Sequence, residues 1–182
     1  MSDIKEFLKK AEPGVILKVL KENAVWYRIA VAAAAVDLCL KHFAEKQYKE
    51  ENPDNITAEA QDYFDLDSEY KEHKGFRFKE VIHNSGFAGE RMKKHPGIVA
   101  FVAAVFTMFI AGRIPFLKKK SKKLGWALIL GGALSNTLDR VRHRYVVDYL
   151  PFRKYVYNVG DLEIYTGAAM ITAAEILDKD ED

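Results

Sequence analysis

A chain of 182 residues with Lys+Arg 28 against Asp+Glu 26 fits one domain, and its formal charge of +2 is too small to argue for a nucleic-acid partner. The single Cys39 excludes an internal disulfide framework and a multi-cysteine zinc site; in its apolar stretch it reads as a small core or lipid-facing residue. The mean hydropathy of -0.19 would suit a soluble protein, but it averages a strongly polar stretch with four apolar tracts.

Met1 to Leu20 reads as a short amphipathic helix broken at Pro13-Gly14, with Ile4, Phe7 and Leu8 on one side. Such a helix either lies on a membrane surface or is plainly solvated. Met1 to Lys10 are charged and amphipathic, unlike a cleavable leader. The first apolar tract predicts a helix over 24–44 and contains Arg28, Asp37 and Lys41. Residues 45–94 are acidic and dotted with aromatics, and are expected to form a polar outer insertion, mostly loop with some helix. The second tract, 96–116, carries no charge before Arg113. The basic run Lys118 to Lys123, at its blandest a solvated turn, precedes the third tract, 124–141, which ends in Asp139-Arg140. A connector then leads to the fourth tract, 157–177, which opens with Asn158 and Asp161 and runs into an acidic tail.

A bilayer-crossing helix needs about 20 predominantly apolar residues, with roughly 17 to 25 the usual range. On its own only the second tract comes close. The others reach that length if their ionisable residues sit at the interface or inside a bundle. Buried helices of a soluble all-α protein are the alternative on hydropathy alone. Charge placement favours the membrane. Four crossings put both termini and the turn between tracts two and three on one side, where Lys5, Lys9, Lys10, Lys18, Lys21 and the run from Lys118 to Lys123 collect. The positive-inside rule makes that side cytoplasmic. Arg142, Arg144, Arg153 and Lys154 then face outward, against the rule.

The polar residues inside the tracts are not scattered. Asn136 and Asp139 close tract three, and Asn158 and Asp161 open tract four; each pair is spaced to share a helix face. Antiparallel tracts bring Asp139 and Asp161 to the same, outer, end. Two close carboxylates hold one proton between them. The ionised member can take a proton from water as it attacks a carbonyl, and the protonated member can polarise that carbonyl and protonate the leaving amine. Interfacial caps and ion pairs explain the same residues equally well at this point. His42, His73, His83, His95 and His143 form no metal-ligand spacing, and Gly131-Gly132 reads as a site of close helix packing.

Several blocks together resemble the lipoprotein signal peptidase (signal peptidase II) family. Gly131-Gly-Ala-Leu-Ser-Asn136-Thr-Leu-Asp139-Arg140 resembles its GGAxGNxxDR block, Val146-Val-Asp148-Tyr149 its VVDF stretch, and Tyr157-Asn158-Val-Gly-Asp161 its FNxAD block. Asp37 and Lys41 resemble its D-x-x-x-K pair, and His83-Asn84-Ser-Gly86 its outer HNxG segment. The resemblance implies an all-α bundle of four transmembrane helices, preceded here by the short amphipathic helix. It implies an aspartic endopeptidase of the bacterial cytoplasmic membrane that cuts prolipoproteins just before a diacylglyceryl-bearing cysteine, with both termini cytoplasmic and its site near the outer face. Asp139 and Asp161 would be the catalytic carboxylates. Asn136, Arg140 and Asn158 would line the site, with Asn84, Gly86, Asp148, Asp37 and Lys41 as substrate-side or supporting residues. The implied partners are the lipid-modified prolipoprotein and membrane phospholipids. The chain is expected to act as a monomer, with no metal, ATP or other cofactor. Departures are Ser135 for the family's Gly, Gly160 for its Ala, Phe87-Ala88-Gly89-Glu90 where Ala-Ala-Phe commonly follows, and a longer acidic insertion. A non-catalytic membrane homologue that binds lipids or lipoproteins is the rival reading.

Overall fold

The computed structural model describes residues 13–51, 78, 80–85, 95–153 and 155–179. The first half of the expected amphipathic helix, most of the 45–94 insertion and Gly86 lie outside the described residues. Within them the helices are α1 (Pro13–Glu22), α2 (Ala24–Glu51), α3 (Pro96–Arg113), α4 (Lys120–His143) and α5 (Val159–Lys179). Helix α4 is central and packs against α5, α2 and α3.

Helix boundaries follow local chemistry. Proline opens α1 and α3, where its missing N–H would have no intrahelical partner. Helix α3 tightens into a 3-10 turn at Ile114–Phe116, where Pro115 cannot continue the α-ladder. Helix α4 ends at Arg144, which adopts φ 70 and donates its backbone N–H to the Arg140 carbonyl at 3.1 Å. Between α1 and α2 the chain bends by 64° at buried Asn23, whose side-chain amide donates to the Val19 carbonyl at 2.9 Å.

The structure corrects the sequence expectation at three places. Helix α2 runs to Glu51 rather than stopping at residue 44; at about 1.5 Å per residue it is longer than a hydrocarbon core of about 30 Å. Helix α4 starts at Lys120, so four of the six residues of the basic run are helical and not a turn. Lysine is a good helix former, and two of these lysines have partners: Lys122 pairs with Glu175 at 2.8 Å and Lys123 donates to Asn23 at 2.6 Å. The fold is also not purely α. Strand β1 (Ile82–Asn84) pairs antiparallel with β2 (Val146–Asp148), and β3 (Leu150–Phe152) with β4 (Tyr155–Tyr157). These strands have three residues each, too short for an alternating pattern to betray them.

Glycine brings α4 and α5 together at two levels. A Cβ on Gly132 would strike the Gly160 backbone carbonyl, and one on Gly125 would lie 2.8 Å from the Gly167 carbonyl oxygen. On the other side of α4, a Cβ on Gly131 would lie 2.7 Å from the Ala33 Cβ of α2. The small-residue reading of Gly131-Gly132 therefore holds, through backbone contact that any side chain would block.

Polar side chains share the interior with apolar ones, while one helix turns large apolar side chains outward. Asp37, Ser135 and Asn158 are fully enclosed, as are the small Ala30 and Ala127. On α3, by contrast, Ile98, Phe101, Phe106, Met108 and Phe109 are each at least half exposed. An apolar face of that extent belongs against lipid or a partner, not water. Helix α3 with its 3-10 turn (Pro96–Phe116) is long and apolar enough to cross a membrane, and α1 with α2 passes the same test as one bent span.

Candidate active site

Asp139 lies four residues before the last residue of α4 and Asp161 lies in the first turn of α5. The antiparallel packing of these helices carries both to one end of the bundle. Helix α5 starts at a reciprocal cap. Asn158 accepts the Asp161 N–H on its side-chain oxygen at 2.9 Å, while Asp161 Oδ2 reaches back to the Asn158 N–H at 3.3 Å. This is a capping box with Asn and Asp in the two roles. The spacing Asn-x-x-Asp thus serves helix initiation and carboxylate placement together.

Asn136, one turn before Asp139, joins the two carboxylates. Its amide donates to Asp161 Oδ1 at 3.0 Å, and its oxygen accepts from Lys41 Nζ at 2.7 Å. Lys41 in turn meets Asp139 Oδ2 at 3.1 Å, and the same oxygen accepts the Val147 N–H from β2 at 3.2 Å. Lys41 is only 3% exposed, so its charge must be matched inside the protein. Asp37, one turn earlier on α2, supplies that match at 2.8 Å.

A second network supports the first from the connector. Asp148 accepts from Asn158 Nδ2 at 2.6 Å on one oxygen and from Asn84 Nδ2 at 3.1 Å on the other, tying β1, β2 and the α5 cap into one unit. Arg140 donates to the Asn136 carbonyl at 3.4 Å and lies in the field of Asp148, Asp161 and Asp139. His83, on β1, meets Glu45 at 2.7 Å and so fastens that strand to the C-terminal end of α2. Burial, with the negative charges of Glu45 and Asp139, pushes the Tyr145 hydroxyl up to about 12, so it stays neutral beside the site.

Nearly all the residues singled out from sequence therefore converge: Asp139, Asp161, Asn136, Arg140, Asn158, Asn84, Asp148, Asp37 and Lys41. Gly86 is outside the described residues. The sequence reading gave no role to Ser135, to the Val147 N–H or to the Tyr149 hydroxyl, all of which the structure places in these networks. Among the described residues no group of three His, Cys, Asp or Glu side chains is placed to hold a metal ion.

Burial, reinforced by the Asp161 charge, raises the Asp148 carboxyl to about 7 against the opposing hydrogen bonds from Asn84 and Asn158. A carboxyl whose folded value lies above its unfolded one stabilises the fold fully below the unfolded value, near 4, and loses that contribution as pH rises through about 7. The thermal midpoint in detergent is thus expected to fall between pH 5 and pH 8, and Asp148→Asn to flatten that slope. An equally steep slope in the variant would assign the titration elsewhere.

Fold and site together define a class: a mostly helical bundle, apolar outside, with an aspartate-bearing polar interior at one end. A solved structure described as a bacterial membrane enzyme, obtained by the in meso method, superposes with a TM-score of 0.56 over 84% of this chain and 90% of that one, at 16% identity. The profile of Peptidase_A8, Signal peptidase (SPase) II, matches residues 29–177. The chain belongs to the signal peptidase II family. It is 35% identical over 102 residues to the lipoprotein signal peptidase of Vibrio parahaemolyticus, spanning 60% of that relative's length. It is 25% identical to that of Haemophilus ducreyi over 85% of this chain and 92% of the relative, and 26% identical to that of Brucella ovis over 87% and 94%.

Proposed function

We propose that this chain is a membrane-embedded aspartic endopeptidase that removes the signal peptide from diacylglyceryl-modified prolipoproteins, cutting before the lipidated cysteine. The observation that carries this reading is the pair of carboxylates, Asp139 and Asp161, joined through Asn136 and Lys41 at one end of an apolar-faced bundle. One carboxylate, ionised, takes the proton of the attacking water. The other, protonated, polarises the scissile carbonyl and then passes its proton to the leaving amine. Asn136 and Asn158 orient the dyad, and Arg140, amid the carboxylates, is suited to pair with one of them or with a lipid phosphate.

Four crossings, by the bent α1–α2 pair, α3, α4 and α5, put both termini in the cytoplasm and the dyad near the outer face of the bacterial cytoplasmic membrane. The substrate's acyl chains then remain in lipid while its scissile bond reaches the interface. Phospholipid surrounds a monomer, and the hydrolysis draws on no ATP or metal. Purified in detergent, the protein is expected to cut a diacylglyceryl-modified prolipoprotein and to leave its unlipidated form at least about tenfold less processed, since acyl-chain burial contributes about 0.8 kcal/mol per CH₂. Equal cleavage of both forms would remove the lipid from the recognition. No cleavage of either would move the reading to a binding homologue.

A further inference from the structure

The carboxylate of Asp37 is more elaborately held than an ion-pair partner of Lys41 requires. It is fully buried, and besides Lys41 it accepts from Ser135 Oγ at 2.6 Å and from the Tyr149 hydroxyl at 2.9 Å. Ser135 also accepts from Lys41 Nζ at 3.1 Å, so ammonium, hydroxyl and carboxylate close a ring between α2 and α4. The Tyr149 hydroxyl, while donating to Asp37, accepts the Val159 N–H at 3.3 Å. Val159 is the first residue of α5, two before Asp161. A Cβ on Gly160 would lie 2.8 Å from Asp37 Oδ2, so α5 also seats its backbone directly against this carboxylate.

Two rigid paths therefore leave Asp37. One runs through Lys41 to Asp139. The other runs through Tyr149 to the N-terminus of α5, which carries Asp161. Both hydroxyls depart from the family blocks, at the Gly position of GGAxGNxxDR and the Phe position of VVDF. Resting on the peptidase reading above, we infer that Tyr149 and Ser135 are positioning residues: acting through Asp37, they fix the spacing of Asp161 relative to Asp139 without touching substrate.

Neither hydroxyl is needed to fill the core. Tyr149→Phe keeps the ring, which packs edge-on against Phe78 with centroids 5.0 Å apart. Ser135→Ala removes one oxygen from a fully enclosed site. A positioning role acts on the rate of the bound complex, because small displacements of reacting groups are costly while ground-state contacts are preserved. With a diacylglyceryl-modified prolipoprotein in detergent, Tyr149→Phe is expected to lower kcat about fivefold to tenfold with KM within about twofold of wild type. Ser135→Ala should move kcat in the same direction.

Unchanged kcat in Tyr149→Phe would overturn the inference, and so would a loss that enters through KM or through a failure of both variants to fold, the marks of a purely structural hydroxyl. Wild type and Asp139→Asn are measured alongside. An inactive wild type sinks the peptidase reading itself. An active wild type, a dead Asp139→Asn and a full-speed Tyr149→Phe sink only the positioning role.

Discussion

Asp139→Asn and Asp161→Asn are each expected to lower prolipoprotein cleavage by roughly 1,000-fold or more while leaving a folded protein, because general acid–base transfer by a positioned group contributes about 100- to 10,000-fold. Asn at 139 can still accept from both Lys41 and the Val147 N–H on its one oxygen, as Asp139 Oδ2 does now. Asn at 161 can keep only one of the two acceptor roles shared between Asn136 and the Asn158 N–H, so a cost of about 1 kcal/mol in stability accompanies it. Neither substitution restores a group that can both lose and regain a proton. Cleavage by wild type and variants in detergent, with thermal midpoints measured on the same preparations, separates chemistry from folding. Activity surviving in either variant would eliminate the dyad as the proton-transferring pair.

The second large effect is expected at Lys41. Lys41→Met leaves Asp37 and Asp139 without the cation that faces both, in a site almost closed to solvent. Breaking a buried pair by removing one partner costs about 3–5 kcal/mol, whereas replacing both members by apolar groups is often nearly neutral. The single variant should therefore unfold at a clearly lower temperature in detergent and cleave little. The double variant Lys41→Met/Asp37→Leu should recover part of the stability and none of the activity, since Asn136 and Asp139 still lack the ammonium that orients them. If Lys41→Met kept the wild-type midpoint, protonation or solvation rather than Lys41 would have to accommodate these carboxylates.

Residues that share a short spacing were legible in advance; those joined only by the fold were not. Asn136 and Asp139, Asn158 and Asp161, and Asp37 and Lys41 are each separated by about one helical turn, so periodicity alone puts each pair on one face. That the two aspartates share one end of the bundle then followed from antiparallel helices. The β1–β2 pairing joins Ile82 to Asp148 across a long stretch of chain, and nothing local announces it. The β3–β4 turn uses Arg153 at φ 55, without the Asn-Gly signature that usually marks such a turn. Ser135 reads as a small change within a matched block, and Tyr149 as part of the match to VVDF. Their partner Asp37 lies 98 and 112 residues away in sequence, and only the packing of α2 against α4 reveals what the hydroxyls do. The basic run is mostly exposed, as a solvated segment would be, but the partners of Lys122 and Lys123, Glu175 and Asn23, are distant in sequence and could not be read locally.

The paired glycines of α4 and α5 bear on how the protein behaves in bilayers of differing thickness. Gly125 meets Gly167 and Gly132 meets Gly160, two points seven residues apart on each helix, or about 10 Å along the axis. A single contact is a pivot, but two are dowels: they block both rotation and sliding of one helix on the other. When lipid thickness changes, the two helices must tilt as one plank. The distance between the carboxylates they carry is thereby insulated from the membrane around them.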